Sequence, residues 1–129
     1  MDMIQALTEF NSCRRLDDFT QLVARWAGPG EALAVYVADP TGMVLTLTVA
    51  HAEALDMLES TIALSEHPAW RSIQTSKPQA HDEYLLLPFA ADDHPSGCIM
   101  VRGEALWATV VEVQKALIDT IFRCMEADR

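Results

Sequence analysis

Four histidines, His51, His67, His81 and His94, are the side chains of this sequence that change charge near neutral pH. None stands at metal-ligand spacing from another. His81-Asp82-Glu83 and Asp92-Asp93-His94 set carboxylates beside an imidazole, a donor mix that suits a cation, but neighbours on polar loops are ordinarily solvated. His67 precedes Pro68 and reads first as a helix-start residue. Cys13, Cys98 and Cys124 are odd in number, far apart and without a CxxC pair, which argues against a disulfide framework and a Cys-based zinc site and fits a reducing compartment. No G-x-S-x-G marks a nucleophile, and no Walker-type or G-x-G-x-x-G loop cradles a phosphate. The expectation is a chain that is not an enzyme.

The elements that would have to position these groups fit into one domain over residues 1–129 of a 129-residue chain. Half of the residues (50%) are hydrophobic and 22% are charged, the balance of a chain with a core to bury. Nine Lys and Arg against 19 Asp and Glu give a formal charge of −10, which repels phosphate backbones and anionic lipid, so neither nucleic acid nor membrane is an expected partner. No apolar run of about 18 residues occurs and the first residues carry no signal-peptide pattern, which predicts a cytoplasmic protein.

Apolar residues at Met3, Ile4, Leu7 and Phe10, then Leu16, Phe19, Leu22, Val23 and Trp26, recur at helical spacing up to Gly28-Pro29-Gly30. Asp17 or Asp18 could cap a second helix near Leu16, so this segment reads as two helices or one bent one. Leu33 to Val37 and Met43 to Val49, turned at Asp39-Pro40-Thr41-Gly42, predict a hairpin whose Leu45, Leu47 and Val49 face the core while Thr46 and Thr48 face water. From about Ala52 to Ser65, Leu55, Leu58 and Ile62 share a helical stripe. A short helix from Pro68, carrying Trp70 and Ile73, ends by Lys77-Pro78. Tyr84 to Ala90 and Cys98 to Val101 form a second hairpin around the loop 92–97, with Pro88 at an edge or bulge.

The last helix, Glu104 to about Met125, carries two apolar stripes. Leu106, Val110, Val113, Leu117 and Ile121 form one; Trp107, Val111, Ile118, Phe122 and Met125 form the other. A helix laid on a sheet needs one stripe of roughly 100°, so a second apolar partner is expected, either the N-terminal helix or another subunit. A homodimer through Leu106, Trp107, Val110, Val111, Leu117, Ile118, Ile121 and Phe122 is the preferred expectation.

The order helix, hairpin, helix pair, hairpin, long helix resembles the GAF domain over residues 14–128. The stretches Leu16-Asp17-Asp18-Phe19-Thr20-Gln21-Leu22-Val23, His67 to Pro78, Tyr84-Leu85-Leu86-Leu87-Pro88-Phe89 and Gly97-Cys98-Ile99-Met100-Val101 carry the likeness. The resemblance implies an α+β fold: a central antiparallel β-sheet, N- and C-terminal helices packed on one face, and a ligand pocket on the other. It would make Tyr36, His51, His67, Trp70 and Tyr84 the pocket walls and polar handles. Only Asp82-Glu83 echoes the end of the family's cyclic-nucleotide signature, and no Cys precedes a His as in bilin-binding relatives. The cofactor or ligand is therefore unknown. The expected function is a non-catalytic sensory or regulatory domain that binds a small ligand and dimerises through its terminal helices. The alternative is a protein-interaction module without a ligand, similar to the acidic dimeric chaperones of bacterial secretion systems.

Overall fold

Asp18 divides the N-terminal segment: its Oδ2 accepts the backbone N–H groups of Arg14 and Arg15 at 2.8 and 3.1 Å. The result is two helices, α1 (Met3–Ser12) and α2 (Leu16–Trp26), where the sequence left one bent helix open. Asp18 caps from the third position of α2, reaching back to the orphaned donors before the first turn. The two N–H donors hold its carboxyl below the usual aspartate value.

The computed structural model describes residues 3–50, 58–91 and 94–128. After α2 come β1 (Ala32–Ala38), β2 (Val44–Ala50), β3 (Thr61–Ala63), α3 (Pro68–Thr75), β4 (Gln79–His81), β5 (Tyr84–Ala91), β6 (His94–Arg102) and α4 (Glu104–Ala127). The strands form one six-stranded sheet in the order β3-β2-β1-β6-β5-β4, with antiparallel neighbours throughout. Asp39 builds the first turn: its Oδ1 accepts the N–H groups of Met43 and Val44, and Thr41 donates its hydroxyl to Oδ2.

The first hairpin departs from the expected alternation. Val35 pairs with Val49 but Tyr36 pairs with Leu47, so Thr48 is an extra residue in a β-bulge. Leu45 and Leu47 stay on one face, while Val49 is switched to the other, against the terminal helices. Alternation alone puts all three together; the bulge reverses the pleat between them.

The sheet is covered on both sides. Leu33, Val35, Val37, Val49, Phe89, Ile99 and Val101 meet α1, α2 and α4, joined by Phe10, Phe19, Leu22 and Val23. Ala32, Ala34, Tyr36, Leu45, Leu86, Cys98 and Met100 face the other way and meet Ala69 and Trp70 of α3. The terminal helices thus share one face, as the resemblance implies.

Both stripes of α4 are largely used within the chain. Leu106, Val110, Val113, Leu117 and Ile121 are buried, and so are Ile118 and Phe122 of the second stripe. Trp107 and Met125 pack at the margin of the same core, and Val111 is 46% exposed. The second partner that the wide sector requires is supplied by α1 and α2. Arg123 ties the arrangement together by donating to the carbonyls of Phe10 and Cys13 at 2.7 and 3.0 Å, two acceptors at the end of α1.

Two short strands replace parts read otherwise. The end of the expected helix 52–65 is β3, where Ile62 pairs with Leu45 and buries against the second face; a three-residue strand also satisfies a helical stripe. Leu55 lies outside the described residues. His81-Asp82-Glu83-Tyr84 closes a tight hairpin in which His81 pairs with Tyr84 and Asp82 has φ +54°. β6 begins at His94, so part of the expected loop 92–97 is strand. Pro88 pairs with Cys98 beyond the last β4 partner, Leu86, where β5 has one neighbour only, as expected of a proline in a sheet. Among the described residues no helix is long and apolar enough to cross a membrane.

Candidate functional site

The second face of the sheet gathers four of the five residues named from sequence. Tyr36 comes from the middle of β1, Tyr84 from the start of β5, and His67 and Trp70 from the start of α3. His51 lies outside the described residues. α3 begins where it does because His67 caps it: the imidazole Nδ1 accepts the Ala69 N–H at 3.0 Å, and Pro68 occupies the first helical position. At the other end Ser76 takes a left-handed conformation, φ 56°, and its N–H closes the last turn on Ile73.

Most polar atoms in this layer are already engaged. The Tyr36 hydroxyl donates to the Glu59 carbonyl at 2.5 Å, and the Trp70 Nε1–H donates to the Ile62 carbonyl at 3.1 Å. Burial pushes the Tyr36 phenol up to about 12, with smaller contributions from Cys98, Glu59 and Tyr84. Tyr36 and Trp70 are therefore parts of the packed layer; Tyr36 pins the chain before β3 to the middle of the sheet, and Trp70 ties α3 to β3.

Tyr84 differs. Its ring is 5% exposed, and its hydroxyl is the buried side-chain polar atom without a hydrogen-bond partner among the described residues. The Arg102 guanidinium lies 5.5 Å from the ring centroid. Burial raises the phenol above its ordinary value and Arg102 partly offsets that. An unpaired buried hydroxyl is destabilising by about 1–3 kcal/mol, so its retention calls for a reason.

Sequence reasoning missed the neighbour of His67. The His81 ring lies 4.5 Å from it, centroid to centroid, with 57° between their planes. The His81 Nε2 is also 3.6 Å from Asp82 Oδ2. The pairing of His81 with Tyr84 puts the imidazole on the face that α3 covers. Burial lowers the His67 pKa below its usual value, and His81 lowers it further, against opposing pulls from Glu59 and Asp82.

These imidazoles do not make a metal centre. A neutral His67 that accepts at Nδ1 carries its proton on Nε2, which then has no lone pair to offer. Capping and ligation by His67 exclude each other. Among the described residues no group of three or more His, Cys, Asp or Glu is placed to hold an ion. The His94 ring stacks on Phe122 at 4.3 Å with 6° between planes; Asp92 and Asp93 lie outside the described residues. The three cysteines are buried, and burial raises each thiol, Cys98 to about 12, which keeps them protonated and unreactive.

A groove of about 930 Å³ opens elsewhere, between the end of α3, the free edge of β5 and the middle of α4. Ile73, Pro88, Phe89, Val111 and Ile118 give it apolar walls, with His94, Glu112, Lys115 and Asp119 at its rim. None of the five residues named from sequence lines it.

No family model and no curated protein matches the chain by sequence. Among solved structures, the chain is similar to the GAF domain of an Acinetobacter phosphoenolpyruvate-protein phosphotransferase, at 15% identity and TM-score 0.67, with 98% of this chain and 97% of that one covered. It is also similar to the GAF domain of the potassium sensor histidine kinase KdpD from Escherichia coli, at 16% identity and TM-score 0.53, with 98% and 94% covered.

Proposed function

This chain has a GAF-like α+β fold, and on that premise we propose that it is a non-catalytic sensory or regulatory domain that binds a small ligand on the sheet face covered by α3. The observation that carries the reading is the Tyr84 hydroxyl, buried with no partner among the described residues, on the sheet face that also holds Tyr36 and Trp70. A ligand oxygen or nitrogen at that point would satisfy it, and Tyr36 and Trp70 would supply apolar walls. The fold's occurrence in a phosphotransferase and a sensor kinase supports a regulatory setting.

The test is thermal unfolding against nucleotides, haem, tetrapyrroles and amino-acid metabolites. A ligand present at 100 times its Kd stabilises the folded chain by about 2.7 kcal/mol. That gain should shrink in Tyr84→Phe. If no compound shifts the transition, or if a shift is the same in Tyr84→Phe, the assignment of this face fails.

A second reading, an interaction module without a small ligand, is favoured by the groove beside the exposed Val111. Homodimerisation is compatible with both readings, and of the α4 residues named for it only Trp107 and Val111 are left uncovered enough to serve. Native mass spectrometry of the protein as isolated separates these readings: a retained small molecule supports the first, and a stoichiometric protein client without one supports the second.

A further inference from the structure

We propose that His67 and His81 form a proton-operated latch that holds the first turn of α3 on the sheet when neutral and releases it on acidification. The inference does not depend on a ligand binding to this face. The bond from Ala69 N–H to His67 Nδ1 exists only while that nitrogen keeps its lone pair. A proton there turns an acceptor into a donor, and two donors then face each other across 3.0 Å. The residues released first are Ala69 and Trp70, both buried in the layer over the sheet.

The His81 Nε2 stands 3.6 Å from Asp82 Oδ2 and its ring 4.5 Å from that of His67, so positive charge on that ring opposes a charge on His67. The groups facing His67 are His81 from β4, Asp82 from the following turn and Glu59 from the segment before β3; the two carboxylates favour its protonation while burial and His81 oppose it. The net shift is downward from 6.5. The folded state therefore binds fewer protons at this site than the unfolded chain, so the contribution to stability is complete above about pH 7 and is lost as the pH falls through 6.5 and the lowered folded value. The cap is set to fail in mild acid.

The experiment is amide hydrogen exchange of the full chain between pH 7.5 and 4.5, corrected for intrinsic rates, with the imidazole resonances of His67 and His81 followed in parallel. Protection of the Ala69, Trp70 and Arg71 amides is expected to fall by roughly 2- to 30-fold, which is the capping range converted to an equilibrium, with the midpoint of the His67 titration. In His67→Asn, which keeps a capping oxygen but cannot titrate, protection should stay level across the range. In His81→Gln the loss should move to higher pH. A flat profile in the wild-type chain, or the same loss in His67→Asn, overturns the latch. The wild-type profile decides the matter even if a variant fails to fold.

Discussion

Glu31 Oε2 accepts the Leu106 backbone N–H at 3.2 Å, while its Oε1 accepts the Gly28 N–H at 2.8 Å. One carboxylate thus closes the loop before β1 and supplies the N-terminal turn of α4 with the acceptor that its own preceding residue, Gly103, cannot provide. Gly103 is glycine for two reasons: its φ is 114°, and a Cβ there would press into the Glu31 side chain. Glu31→Ala leaves two N–H groups to water and is expected to destabilise the chain by about 1–3 kcal/mol in urea unfolding. Glu31→Gln, which keeps one acceptor oxygen but sets an amide donor against the other N–H, should recover part of that loss, at most about half. Equal losses in both variants would mean that the carboxylate acts through charge and not as a staple.

Tyr84→Phe removes the unpartnered hydroxyl and leaves the ring buried in the second core layer and beneath Arg102. The ligand-free protein should keep its stability or gain up to about 1–3 kcal/mol, because a buried group without a hydrogen bond is deleted. A destabilised variant would show that the hydroxyl has a partner after all. Differential scanning calorimetry without added ligand reads this directly.

The acid limb has a second, independent origin in Asp39. The Thr41 hydroxyl, with backbone N–H groups of Val44, Met43 and Gly42, holds this carboxyl below its ordinary value of 3.8. A depressed carboxyl contributes stability that is complete above the unfolded value and vanishes as pH falls through the folded one. The urea midpoint should therefore fall below about pH 4 in the wild-type chain, and less steeply in Asp39→Asn, whose turn cannot titrate. Parallel slopes for the two would place the acid sensitivity elsewhere.

The elements that repeat a simple period were legible in the sequence, and those that break one were not. The stripes of α4, the Pro68 start of α3 and the Asp39 turn follow from spacing and turn chemistry, because each rests on residues close in sequence. The bulge at Thr48 was hidden because Leu45, Leu47 and Val49 alternate perfectly as written; the pairing with Val35 and Tyr36 decides which face each takes. β3 and β4 are three residues each, too short for any period to declare itself. Tyr36, Trp70 and Tyr84, named from the sequence as aromatic walls, are buried together on one side of the sheet. Which of their polar atoms remains free was not legible, since it depends on the carbonyls of Glu59 and Ile62, brought in by the chain before α3. The His67–His81 contact was equally out of reach, because it joins a helix cap to a hairpin 14 residues away whose existence the sequence did not announce.

The breadth of the apolar sector on α4 can now be divided between two duties by mutation. Leu117 is fully buried between the sheet and the N-terminal helices, so Leu117→Ala should destabilise the chain by about 2–5 kcal/mol at any protein concentration. Val111 is 46% exposed on the groove side, and in an isolated chain Val111→Asp should change stability by no more than about 0.5 kcal/mol. If the uncovered part of α4 pairs with a second copy, the wild-type transition temperature must rise with protein concentration, by mass action, and Val111→Asp must remove that rise while leaving the dilute limit unchanged. A concentration-independent wild-type transition would instead leave the sector fully accounted for by α1, α2 and the sheet, and dimerisation through this helix would fall.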